Sequence, residues 1–264
     1  MGKQGIGDKV QQIEAMELRL NQFNAARALA LPDKKPMVLK LGDSLLLMET
    51  SGPESMYYNR VKGFGPSDLD KLDLILQEYE SRDLIPCFDI PPGRMTVEVG
   101  TALHQKGFVC AEQLTFLEAG HGSPPTAPAS SVEIKEVDEH LADDLLNSIS
   151  RIMGGVPSEI LERKKPYFIL PHFRNYLAYI GNEIAGIGSL FIHEREGYLA
   201  NDYTFPEYRG MGCQKALIAR RLAEAAKLGL TSVYTDVRFG SASHENMRLL
   251  GFEQVFTTSF WIKA

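Results

Sequence analysis

A chain of 264 residues with 44% hydrophobic and 23% charged side chains is long enough for one large or two small domains, each with a core of its own. Its net charge of −6 argues against a general nucleic-acid or anionic-membrane binder and suits a cationic small partner. No apolar run reaches a membrane span, Met1 to Ile6 carries no apolar signal core, and Cys87, Cys110 and Cys213 give neither a disulfide framework nor a metal spacing. These features point to a cytoplasmic protein with no metal, nucleic-acid or membrane partner.

Ile13, Met16, Leu20 and Phe23 form one stripe of a helix expected over residues 8–30, ended by Pro32 and Pro36. Strand-like runs follow at 37–41, 45–48 and 57–61, with Ser51-Gly52-Pro53 as a turn. Gly63-Phe64-Gly65-Pro66 then leads into a helix with Ser67 as its N-cap and Leu72, Ile75, Leu76 and Tyr79 as its stripe. A strand at 84–90, a helix at 95–105 and a strand at 109–117 complete a mixed α and β half. Residues 120–131, rich in Gly, Pro and Ser, offer no periodic apolar face. They read as a linker between domains at 1–119 and 132–264.

The second half restarts with a strand at 132–137, a helix carrying Leu141, Leu145, Leu146, Ile149 and Ile152, and a shorter helix at 159–164. A hairpin of 175–180 and 184–193 turns at Gly181-Asn182. A strand at 198–205 feeds Arg209-Gly210-Met211-Gly212-Cys213-Gln214, and a helix at 215–228 stops at Gly229. Glycines in such a junction permit positive φ and close approach, while the first amides of the helix lack partners and sit at the positive end of its dipole. With Arg209 at the mouth, this is the chemistry of an anion site. The plain alternative is a two-glycine turn before a helix. Neither nucleotide fingerprint fits, since Gly-x-x-x-x-Gly-Lys-Ser/Thr is absent and the Gly-x-Gly-x-x-Gly spacing fails.

The run from Thr204 to Ile218 resembles the acetyl-CoA signature of the GNAT family of N-acetyltransferases, Arg/Gln-x-x-Gly-x-Gly/Ala. Downstream, Asn246-Met247-Arg248-Leu249-Leu250-Gly251-Phe252 resembles the end of the family's next motif, so the likeness spans roughly the second half of the chain. It implies an α/β (α+β) fold, with a mixed, mainly antiparallel C-terminal sheet flanked by helices behind a smaller degenerate GNAT-like domain. It also implies acetyl-CoA as cosubstrate and direct acetyl transfer to the amine of a small molecule. By the same resemblance Arg209, Gly210, Met211, Gly212, Cys213 and Gln214 hold the pyrophosphate, Tyr203, Thr204 and Phe205 run along the pantetheine arm, and Asn246 bonds that arm. Two positions depart from the pattern: Gln214 stands where the signature has Gly or Ala, and Met247 where many members carry Tyr.

A lysine-like amine is neutral in only on the order of one molecule in 10³ at pH 7, so transfer needs a base or a desolvating pocket. Strand alternation puts Tyr198 and Asp202 on one face, and Asp236 sits late in the next strand; these are the base candidates. For the leaving thiol, Tyr234 or water replaces the Tyr missing at Met247. Each has a plainer reading: Asp202 as an acceptor for its neighbours, Tyr198 as packing, Cys213 as a small hydrophobe, Ser241 or Ser243 as a helix cap. The two departures also keep open an acyl-CoA-binding sensor or interaction module without turnover, and a homodimer is compatible with the sequence.

An internal likeness adds to this. Leu103 to Phe108 and then Phe116 precede Met247 to Phe252 and then Phe260 at one common spacing. Two copies of one fold, the first degenerate, would give this, as would coincidence. The first copy's helix start has no Arg and places Asp68 and Asp70 in its first turn, where carboxylates repel a pyrophosphate. One cofactor site per chain is the expectation.

Overall fold

The computed structural model describes residues 5–51, 57–120 and 131–264. Residues 121–130 of the expected linker, and Gly52-Pro53 of the expected turn, lie outside the described residues. The chain forms two compact units, Met1–Phe116 with Val255–Ala264, and Leu117–Gln254.

Unit 1 contains α1 (Ile6–Arg27), β1 (Pro36–Leu41), β2 (Ser44–Glu49), β3 (Arg60–Lys62), α2 (Leu72–Glu80), β4 (Cys87–Ile90), α3 (Val97–Gln105) and most of β5 (Phe108–Ala119). Unit 2 contains β6 (Val132–Glu136), α4 (Ala142–Ile152), α5 (Ser158–Lys164), β7 (Phe173–Ile180), β8 (Glu183–His193), β9 (Glu196–Thr204), α6 (Cys213–Lys227), β10 (Ser232–Arg238) and α7 (Ala242–Leu249). The last strand, β11 (Glu253–Lys263), begins in unit 2 and runs into unit 1. In unit 1, β1, β2 and β3 pair antiparallel and β3 pairs parallel with β4. In unit 2, β6 to β9 are antiparallel and β10 joins β9 in parallel. This is the mixed, mainly antiparallel α/β architecture expected.

Each core follows from periodicity. In unit 1, Leu46, Val61, Phe64, Ile75, Tyr79, Phe88, Val99, Leu103 and Phe108 form one buried cluster. In unit 2, Leu217, Ile218, Leu222 and Ala225 of α6 close over Leu190, Leu199, Val233 and Val237 of the sheet, the inward stripe of an amphipathic helix meeting alternate strand positions.

Three features differ from the expectations. The α1 helix ends at Arg27, short of residue 30. Ser67 does not cap a helix: Pro66–Lys71 is a 3-10 turn, and α2 starts at Leu72. The polar side chains of that turn are committed elsewhere, because Asp68 accepts from the Asp43 amide and the Ser44 hydroxyl and Ser67 donates to Asp43. Finally, β11 lies antiparallel to β4 inside unit 1, where Phe256 stacks on Phe116, Thr258 donates to Asp89, and Arg60 covers the Phe260 ring. The end of β5 lies in unit 2, where Glu118 accepts from Ser232. The last strand of each half therefore contributes to the other half's unit, and a boundary at 120–131 does not separate the two cores. Both halves run through the same order, three strands, helix, strand, helix, strand, from β1 to β5 and again from β7 to β11.

Candidate functional site

The α6 helix begins at Gly212, whose φ of 89° is left-handed and whose side-chain-free N-cap offers no capping bond. A glycine takes this conformation without the penalty of a Cβ. Gly210 is left-handed too, with a φ of 78°. The Ala216 amide bonds the Gly212 carbonyl, so the amides of Cys213, Gln214 and Lys215 precede any intrahelical acceptor and face outward from the helix start. No acidic residue occupies the first turn, and Arg209 and Lys215 add two cations. A cleft of about 470 Å³ opens here, lined by Asp202 to Thr204, Tyr208 to Gly210, Gly212 to Lys215, and Ala242, Ser243 and Asn246. Donors, cations and dipole all favour an anion.

One wall of the cleft is β9, and its geometry corrects the simple alternation. β8 and β9 pair from His193↔Glu196 to Ser189↔Ala200, then shift to Ile187↔Tyr203. Two residues, Asn201 and Asp202, stand against Gly188 alone. Asn201 adopts a φ of 57°, and the extra residue inverts the side-chain alternation beyond it. Tyr198 and Asp202 consequently do not share a face: Leu199, next to Tyr198, packs on the α6 side, and Asp202 also turns to α6. Both Asp202 oxygens accept from Arg221, a wholly buried guanidinium, so a carboxylate held by a cation replaces the free base expected. Sequence reasoning missed Arg221. The signal was present, because this arginine lies among Leu217, Ile218 and Leu222 on the apolar stripe, where a charge needs a partner.

The other candidates, Tyr198, Tyr234 and Asp236, lie on β9 and β10. Their parallel ladder covers Glu196–Tyr198 against Ser232–Tyr234, and both strands continue beyond it, to Thr204 and Arg238, with no further mutual register among the described residues. Tyr198, 2% exposed, donates to Asp236 at 2.5 Å. Tyr234 donates to Glu196 at 2.9 Å, and burial pushes its hydroxyl well above the usual phenol range. Neither tyrosine lines the cleft. Tyr234 stands beside Tyr198 in the β9–β10 ladder.

The third wall is the start of α7. Ser241 is its N-cap, accepting from the His244 amide. Gln214 donates to Ser243 at 2.9 Å and accepts from Asn246 at 2.7 Å, so its side chain bridges α6 to α7 while its amide remains in the nest. Asn246 lines the cleft. Met247, 1% exposed, belongs to the core, and no hydroxyl replaces it at that point of the helix. Cys213 is buried, its thiol raised by desolvation, which is the small-hydrophobe reading. Tyr208 and Lys215 also line the cleft and were not singled out from sequence. Tyr203 and Phe205 meet edge to face at 5.4 Å, with Arg151 over the Phe205 ring; Tyr203 and Thr204 line the cleft.

Comparison with known proteins bears on this geometry. The acetyltransferase (GNAT) family model matches residues 139–252. A GCN5-related N-acetyltransferase from Kribbella flavida is similar in structure at 14% identity, covering 93% of this chain and 94% of its own, with a TM-score of 0.64. One from Sphaerobacter thermophilus, also 14% identical, covers 84% and 81% with a TM-score of 0.61. A functionally unknown conserved protein from Staphylococcus epidermidis, 12% identical, covers 88% and 94% with the same score of 0.61. No curated protein matches the chain by sequence. At these identities the structures speak for the fold, which extends over both halves, and the family model speaks for the second. This chain carries a GNAT-family acetyltransferase domain over residues 139–252.

Proposed function

We propose that this protein is an acetyl-CoA-dependent N-acetyltransferase that acts on the amine of a small molecule, in the cytoplasm. The observation that carries the reading is the uncapped start of α6: three outward amides, two left-handed glycines and two cations with no acid among them. The amides of Cys213, Gln214 and Lys215 with Arg209 would hold the pyrophosphate, and the end of β9 at Tyr203 and Thr204, with Phe205 just beyond it, would hold the pantetheine arm, with Asn246 opposite. The cofactor supplies an acetyl group on a thiol that leaves readily. The chain's own task is to orient that group and to take a proton from the amine. Asp236, which accepts from Tyr198, is the carboxylate we assign to the proton, and Asp202 is held by Arg221. Among the described residues no helix is long and apolar enough to cross a membrane and no side-chain cluster could hold a metal ion; the reading requires neither. We take the first half to be a degenerate copy of the same fold.

A second reading, an acyl-CoA-binding sensor without turnover, is favoured by one specific feature: α7 offers a buried Met247 where a proton donor to the thiol would be useful, and such a donor is typically worth about 10²–10⁴-fold. Calorimetry with acetyl-CoA, followed by thiol release against a panel of small amines, separates the two. Binding with thiol release supports the transferase, binding with no release from any amine supports the sensor, and no binding refutes both.

A further inference from the structure

Arg221 is the largest wholly buried side chain among the described residues, and it makes four bonds that are not needed to fold a helix. Its Nε donates to the Leu217 carbonyl at 3.0 Å, one Nη donates to the Ser189 carbonyl at 2.9 Å and to Asp202 at 3.0 Å, and the other Nη donates to the second Asp202 oxygen. The acceptors come from both sides of the bulge: Ser189 lies on β8 just before the register shift, and Asp202 is one of the two residues that oppose Gly188. Gly188 leaves room for the guanidinium, since a Cβ there would stand 3.0 Å from its central carbon. On the sheet, Asn201 donates to Ser189 and Ser189 to Asn175, closing the network around the extra residue.

We infer that Arg221 is a positioning residue for the cofactor, holding the β9 bulge at a fixed distance from the α6 amides. This rests on the proposed function. The same helix carries the outward amides at Cys213 to Lys215 and, two turns later, the guanidinium that grips β9. A ligand that must lay an anion on the first and an extended arm along the second reads the spacing between them, and Arg221 sets that spacing. Stability alone gives a weak reason for the pair, because a buried ion pair can often be replaced by a neutral pair of like volume at no net loss. Lysine cannot substitute, because one ammonium cannot span a carboxylate and a carbonyl on two strands as the planar fork does.

The test uses the full-length chain, the double variant Arg221→Met/Asp202→Asn, which removes both charges together, and Arg221→Lys, which keeps the charge. Two quantities are measured in folded samples: CoA affinity by calorimetry, and hydrogen exchange of the amides from Asn201 to Thr204 without ligand. We expect both variants to melt as folded proteins, to exchange those amides at least about tenfold faster, and to bind CoA about 10- to 100-fold more weakly, as a binding element that is no longer pre-organised would. Wild-type exchange and wild-type affinity in the folded double variant would overturn the positioning role. If the wild-type chain binds no CoA, the proposed function fails, and the exchange measurement still decides whether Arg221 fixes the bulge.

Discussion

Replacing Gly212 by Asp puts a carboxylate at the N-cap of α6, the point of the cleft best suited to an anion. The backbone there is left-handed, φ 89°, so a side chain costs about 1–2 kcal/mol. An Asp N-cap returns only a few tenths of a kcal/mol relative to Gly, so the net cost is about 1–2 kcal/mol, small against a typical total of about 5–15 kcal/mol. The variant should fold. Its effect on an anionic ligand is much larger: a carboxylate about 4 Å from one phosphate charge at an effective dielectric near 20 costs about 4 kcal/mol, close to a thousandfold in affinity. It also consumes amides of Gln214 and Lys215 that the ligand would use. Gly212→Asn carries the same backbone cost without the charge and should lose only about tenfold. Calorimetry with CoA beside thermal melting reads both quantities. Equal CoA affinity for wild type and a folded Gly212→Asp would refute the assignment of the anion site.

Tyr198→Phe removes the hydroxyl that Asp236 accepts; thiol release should fall about 10²-fold with CoA affinity unchanged, and a loss confined to affinity would contradict the assignment of the proton to Asp236. In unit 1, burial acts to raise the Glu49 carboxyl, but hydrogen bonds from Lys34 and Ser51 outweigh it and pull it down to about 2 from the usual 4.5. A depressed carboxyl contributes its full stability above about pH 4.5 and loses it as the pH falls toward 2, so Glu49→Gln should flatten the fall of melting temperature across that window; an identical slope would count against the ion pair. A chain ending at Gln254 loses Phe256 and Phe260 from unit 1, each worth about 3–5 kcal/mol against a typical total of about 5–15 kcal/mol. Amides of β1 to β4 should then lose protection from exchange, and retained protection would show that β11 is dispensable.

Elements whose signals are local were legible. The β7–β8 hairpin is written in Gly181-Asn182, and α6 is framed by Gly212 and Gly229, both left-handed. What failed was non-local. Asp202 reads as a strand carboxylate until Arg221, 19 residues on, is seen to meet it, and the inverted alternation follows from one extra residue at Asn201, which no periodicity announces. Ser67 has the right chemistry for a cap, yet it donates to Asp43 while Asp68 accepts from Ser44, and these bonds to the neighbouring hairpin claim the turn. The passage of β11 into unit 1 was least visible of all: β5 and β11 both end a helix–Gly–Phe sequence and carry similar apolar faces, so local pattern cannot say which of them will pair with β4.

The repeated order of elements supplies a comparison within one molecule. In each half a strand leaves the sheet through glycines and enters a helix, after Lys62 in unit 1 and after Thr204 in unit 2. The two junctions have opposite electrostatics. Unit 1 passes through a 3-10 turn with the buried Asp68 and then starts α2 with Asp73 in its first turn, whereas α6 starts with no acid at all. A helix dipole already answered by carboxylates gains nothing from a phosphate and repels it. The shared scaffold therefore predicts a single CoA per chain, on the second half: calorimetry should give a stoichiometry near one, which Gly212→Asp abolishes. Two equivalents, or one that survives that substitution, would mean that the first junction binds despite its acids and that the charge argument applied to both halves is wrong.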